Sequence, residues 1–252
     1  MAEPRPYETR TVAATVELRD EDSAPVLTGY AATFNEPYQI GYFRERIHPD
    51  AFRRTLTGSP DVRLLIDHEG QPLARTKSGT LTLSTDHRGL QVRATLDPSD
   101  PDVQRLLPKM RRGDLDQMSF AFRVPAGGDT WDYSGDVPDR TIREANLSGG
   151  DVSVVTYPAN EATEAQVRAR DERESAYVLA EAMLREVRAG TQFDLDNVER
   201  LHDALEALGI PLTRAAQAEV TEVTPEDVPE PGLPLDLARR LQLAAELRRL
   251  SA

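Results

Sequence analysis

Between residues 11 and 157, apolar and polar residues alternate in short runs rich in Val, Ile, Thr, Leu and Phe, and Gly, Pro, Asp or Ser stops each run. A period of two belongs to a strand with one face turned inward, so most of this stretch must fold as many short strands. Residues 11–19 (TVAATVELR) and 26–34 (VLTGYAATF) read as two strands on either side of the turn-rich EDSAP. Gly29 inside the second suggests a bulge or a close approach of another backbone. Residues 41–47 form a short extended piece, and Pro49 opens a short helix that runs to about Leu56 and ends at Gly58-Ser59-Pro60. Residues 61–66 (DVRLLI) read as a buried strand that delivers Asp67, His68 and Glu69 at its end. Residues 80–84 and 90–96 form a hairpin around Asp86-His87-Arg88-Gly89.

Asp100 and Pro101 are an N-cap and first helical residue, and Val103, Leu106, Leu107 and Met110 follow at helical spacing up to Gly113. Pro108 is expected to kink or shorten that helix. The alternating run MSFAFRV comes next, with Phe120 and Phe122 on one face and Ser119 and Ala121 on the other of a half-buried strand. Residues 125–140 read as a polar surface loop holding the single Trp, and residues 141–147 and 151–157 as the last two strands, stopped by Pro158-Ala159-Asn160.

From residue 161 the texture changes to charged, alanine-rich helix interrupted by Gly190 and Gly209-Ile210-Pro211. Residues 221–234 (TEVTPEDVPEPGLP) form an acidic, proline-rich linker, and residues 235–252 a terminal amphipathic helix. The expected organisation is a mainly β domain with short helices over residues 10–165, in the α+β class, followed by a helical tail over 166–220, the linker and the last helix. Many short strands of this kind suit a closed or nearly closed barrel with helices around it.

Charge narrows the function. A net charge of -13 and a pI near 4.8 are opposite to what phosphate backbones or anionic membranes require, so neither nucleic acid nor a membrane is an expected partner. The chain holds no cysteine, which removes thiol catalysis, disulfides and cysteine-ligated zinc. No apolar run is long enough to span a bilayer and the N-terminus lacks a signal-peptide core, so the chain is expected to stay where it is made or to be packaged there. A nucleophilic hydrolase built from these residues must therefore use Ser or Thr, with one of four histidines as base. His68 ends a buried strand, whereas His87 lies in a hairpin turn, His48 at a helix start and His202 on the charged tail. A structural histidine and a catalytic base are both compatible with His68. Asp67, Glu69 and Asp151 are the nearby acidic candidates, and they read equally as surface carboxylates. A metal site at Asp67-His68-Glu69 lacks a further ligand at suitable spacing.

Three segments together resemble the tailed-phage prohead proteases, the capsid-maturation serine proteases related to herpesvirus assemblin. They are GYAATFN with FRERIHPDAF, then LLIDHEG, then GDLDQMSFAF with DVSVVTYPAN, over roughly residues 12–165. Asp67 stands where the family has Asn, Asp151 where it has Glu, and Gln117 and Ala121 where Gly is common. The resemblance implies an assemblin-like barrel with Ser119 as nucleophile, His68 as general base and Asp151 as the acid that orients it. It also implies backbone amides near the serine strand as oxyanion donors and no cofactor or metal. Its implied substrates are the scaffolding portion of the major capsid protein, the scaffold and the enzyme's own tail, cut inside the assembling procapsid in the host cytoplasm. A homodimer is implied as well. The alternatives are a catalytically inactive capsid assembly or scaffolding protein on the same fold, and an esterase of unrelated fold.

Overall fold

The computed structural model describes residues 7–12, 17–21, 24–156, 165–191 and 193–209. In chain order its elements begin with β1 (Glu8–Val12), β2 (Glu17–Glu21), β3 (Ala24–Thr33), β4 (Tyr38–Ile40), β5 (Phe43–Ile47), α1 (Arg53–Thr57), β6 (Arg63–Ile66) and β7 (Glu69–Arg75). After a 3-10 turn at Thr76–Ser78 follow β8 (Leu81–Thr85), β9 (Gly89–Thr95), α2 (Pro101–Arg112), β10 (Gln117–Phe122), β11 (Asp129–Asp132), β12 (Asp139–Ile142), β13 (Asp151–Val155), α3 (Ala165–Arg188) and α4 (Leu195–Ala207). This is a mixed α+β protein, mostly sheet with a few helices.

Two compact units divide the chain. The larger contains nearly all of the strands with α1 and α2, and the other contains α3 and α4 together with residues 40–43 and 136–138. Within the helical unit, Ala176, Leu179, Ala180, Met183 and Leu184 of α3 are buried, as are Leu201, Ala204 and Leu205 of α4. Their spacing gives each helix one apolar stripe, and α4 starts on an Asp194 N-cap that accepts from the Asn197 amide.

The strands of the larger unit form three sheets, with orders β1-β10-β13-β6-β7, β11-β12-β5-β4 and β2-β3-β9-β8. No ladder among the described residues closes a ring. The first sheet is mixed: β10 runs antiparallel to both β1 and β13, and β13 runs parallel to β6. Parallel pairing of β6 and β13 brings the ends of both strands to the same edge of the sheet.

Phe120 and Phe122 stack at 4.7 Å, and Phe120 meets Phe52 edge-on at 5.7 Å, with Phe34 next to Phe52. All four rings are buried, and the expected stripe of α2, Val103, Leu106, Leu107 and Met110, belongs to the same core. Burial of this much aromatic surface holds β10 in place from one side. The other face of β10 is covered too: Ser119 and Ala121 are buried, so β10 is enclosed on both faces rather than half-buried.

A second interior is ionic. Arg10 donates to Glu45 through Nε at 2.7 Å and to Glu8 through Nη2 at 2.6 Å. Arg140 donates to Glu8, Glu45 and Asp129, and Tyr38 donates its hydroxyl to Glu45 at 2.7 Å. All are buried save part-buried Tyr38, and Arg140 is the largest fully buried side chain among the described residues. Burial opposes the charge on Arg10 and Arg140, but Glu45 and Glu8 beside them outweigh it and raise both above the ordinary arginine value. Burial and the Glu45 carboxylate together push the Tyr38 phenol well above its ordinary value. The cluster ties β1 to β5 and β12, a role that low-dielectric ion pairs perform only when fully satisfied.

Several sequence expectations shift. The single strand expected over residues 11–19 is instead β1 and β2, which pair with β10 and β3 respectively. The bulge in β3 falls between Tyr30 and Ala32, beside the suspected Gly29. The polar loop of residues 125–140 contains β11 and opens β12, because residues 129–132 pair antiparallel with residues 139–142. β7 is not evident in EGQPLAR; it is an edge strand, the place in a sheet where a proline such as Pro72 is tolerated. α2 passes through Pro108, which the helix carries on its exposed face. The stop at 158–160, the linker at 221–234 and the helix at 235–252 lie outside the described residues.

Candidate active site

Asp67 and His68 are the two residues of a tight turn between β6 and β7, since Ile66 pairs directly with Glu69. Both have positive φ, 50° and 61° respectively. Paired left-handed residues make the I′ type of hairpin turn, usually Asn-Gly, and a short polar side chain such as Asp is among the few that tolerate that backbone. Here the turn is also clamped to β13. Asp67 donates its amide to the Val154 carbonyl at 3.0 Å, and its carboxylate accepts from the Thr156 amide and hydroxyl, both at 2.7 Å. Those bonds offset the left-handed strain and fix where the His68 side chain departs.

β13 begins at Asp151, and residues 151 and 153 share one face of it. Ser119 pairs directly with Ser153 across β10 and β13, so its hydroxyl projects from that same face. The three expected residues converge there. His68 Nε2 lies 2.7 Å from Ser119 Oγ, and His68 Nδ1 lies 2.7 Å from Asp151 Oδ1. The carboxylate can only accept, which assigns the imidazole proton to Nδ1 and leaves Nε2 free to receive the serine proton. In this arrangement a hydroxyl can lose its proton to the ring while the carboxylate offsets the charge that appears.

Access is one-sided. Ser119 is 1% exposed, whereas the His68 side chain is 24% and the Asp151 side chain 14% exposed. The serine hydroxyl also lies 3.0 Å from the Arg10 carbonyl on β1. Asp67 is turned toward Thr156 and Glu69 is exposed, so the Asp67-His68-Glu69 run does not converge as a ligand set. His48 accepts from the Asp50 amide at 3.1 Å, and neither it nor His87 or His202 bonds Ser119.

Three partners of this site were not picked out in the sequence: Ser153, Thr156 and the Arg10 carbonyl. Ser153 carried a usable signal, because position 153 follows Asp151 by two on a strand and must share its face. Thr156 and Arg10 carried none, since each contact depends on how distant strands align.

Neither the curated proteins nor the solved structures give a match to this chain. The family described as caudovirus prohead serine protease matches residues 12–176, which take in β2 to β13, the converging Ser119, His68 and Asp151, and the beginning of α3. The chain belongs to the caudovirus prohead serine protease family.

Proposed function

We propose that the chain is a serine endopeptidase acting through Ser119, His68 and Asp151, and that it matures the procapsid. Its substrates are the scaffolding portion of the major capsid protein, the scaffold and its own C-terminal tail. Ser119 Oγ attacks the scissile carbonyl as its proton passes to His68 Nε2. The imidazolium then protonates the departing amine, and water hydrolyses the acyl-enzyme with His68 as base. Asp151 holds the ring with its Nδ1 proton inward throughout. The observation that carries this reading is the unbroken hydrogen-bonded chain from Ser119 through His68 to Asp151, from residues far apart in sequence.

Action inside the assembling procapsid in the host cytoplasm, a homodimer and an assemblin-like, nearly closed arrangement of the sheets belong to the same reading. The test is co-expression with the neighbouring capsid gene, comparing wild type with Ser119→Ala by intact-protein mass spectrometry. Shortened capsid protein with the wild type alone is the expected result. Uncut capsid protein with both would sink the protease reading in favour of an inactive assembly protein.

A further inference from the structure

Ser153 is fully buried, yet its hydroxyl has two defined partners. It donates to Asp151 Oδ1 at 2.7 Å and accepts the His68 backbone amide at 3.1 Å. The oxygen it donates to is the same one that receives His68 Nδ1. Its separation from Nδ1 itself, 3.4 Å, is longer, and with the ring proton directed at Asp151 no proton remains for that contact. The proton count therefore closes with the ring N–H and the Ser153 O–H both on Asp151, and the His68 backbone N–H on Ser153.

Resting on the serine-protease reading, we propose that Ser153 is a positioning residue of this site: one hydroxyl sets the distance between the backbone that carries the imidazole and the carboxylate that orients it. Two features make this need specific to the chain. The amide of the second residue of a two-residue turn is not used by the β6–β7 ladder, so a buried acceptor must be supplied from elsewhere. The acid is an aspartate, whose short side chain must hold one rotamer to reach Nδ1, and a second donor on Oδ1 fixes that rotamer. Removal of the hydroxyl leaves the His68 amide without an acceptor and Asp151 with one donor instead of two, so the ring can drift from the serine.

The test uses a fluorophosphonate probe, which reacts covalently with an activated serine and requires no knowledge of the natural substrate. It is applied to the full chain as wild type, Ser153→Ala and Ser153→Cys. The cysteine variant fills the space that alanine leaves empty while replacing a strong donor with a weak one, so it decides the matter if the alanine variant does not fold. The expected result is a maximal labelling rate lower by roughly 10- to 100-fold in the alanine variant and by less in the cysteine variant, with unchanged probe affinity. The far-downfield proton resonance of His68 Nδ1 should broaden or vanish in parallel. Labelling of a folded Ser153 variant within about twofold of wild type overturns the role of Ser153 and leaves the protease reading intact. Failure of the wild type itself to label at Ser119 overturns both.

Discussion

Ser119 Oγ and the Arg10 carbonyl oxygen lie 3.0 Å apart, although Arg10 sends its side chain to the opposite side of the sheet, into the buried ionic cluster. Thr11 is the residue that pairs with Ser119, so the contact follows from the β1–β10 register. The backbone beside the serine is thus anchored by charges on the far face. Arg10→Met leaves Glu45 and Glu8 with Arg140 and one guanidinium fewer, and should cost about 3–5 kcal/mol in urea unfolding. Arg10→Lys keeps the charge without the fork and should fall between the two.

Asp151→Asn preserves the shape of the site and removes its negative charge. Either the amide group faces Nδ1 and forces the other tautomer, so that the ring no longer accepts from Ser119, or the amide oxygen keeps both donors and the charge that offsets the imidazolium is lost. Turnover should fall by about 10⁴-fold with little change in melting temperature. Ser119→Ala should abolish fluorophosphonate labelling altogether, and the two variants together test the assignment of roles.

Asp67 holds its turn through two bonds to Thr156. Asp67→Ala removes both acceptors and places an ordinary side chain at φ 50°, so a loss of about 2–4 kcal/mol is expected. Asp67→Asn retains one acceptor and the tolerance for that backbone, and should cost about 1 kcal/mol. Thermal melts give the ranking, and the alanine variant should also label more slowly because the same turn carries His68.

Gly150 immediately precedes Asp151, and a Cβ there would lie 2.1 Å from the Ala121 carbonyl oxygen. Neither backbone can yield without disturbing the β10–β13 pair. Gly150→Ala should therefore lower stability by about 1–3 kcal/mol and labelling with it. Gly70→Ala meets nothing within 4 Å but adopts φ 80°, so about 1–2 kcal/mol of backbone strain is expected there.

Tyr30 donates to Asp86 at 2.6 Å beside the β8–β9 turn. That bond first, then the Arg88 and Gly89 amides, lowers the Asp86 carboxyl, and the same bond raises the Tyr30 phenol. A depressed carboxyl contributes stability above the unfolded value of about 4 that is lost as pH falls through its folded value. A raised phenol contributes stability below about 10 that is lost as pH rises through its folded value. Tyr30→Phe should lower the melting temperature between these limits and converge with wild type outside them.

The strands around Ser119, His68 and Asp151 were legible because period-two patterning and turn residues are local. Alternation set the face of Ser119, and the run LLI placed His68 at a strand end. β7 and β11 were hidden, because EGQPLAR and DTWD are polar or carry proline and owe their extended form to neighbouring strands. The ionic cluster was equally invisible: Glu8, Arg10, Glu45, Asp129 and Arg140 look like solvent-facing charges until four strands bring them together. In the site, side-chain types pointed to Ser119 and His68, while the identity of the acid rested on resemblance. Nothing local marked that Asp67 would bond Thr156 instead of water.

The site draws its members from β10, β13 and the end of β6, adjacent strands of a single sheet. A slip of one residue between β13 and either neighbour would invert Asp151 and Ser153 to the aromatic side and seat Val152 and Val154 in their stead. Such a molecule could stay compact and remain chemically silent. Strand alignment is therefore the gauge by which this protein is armed, and a misaligned fraction in a preparation would register as missing active sites rather than as aggregate.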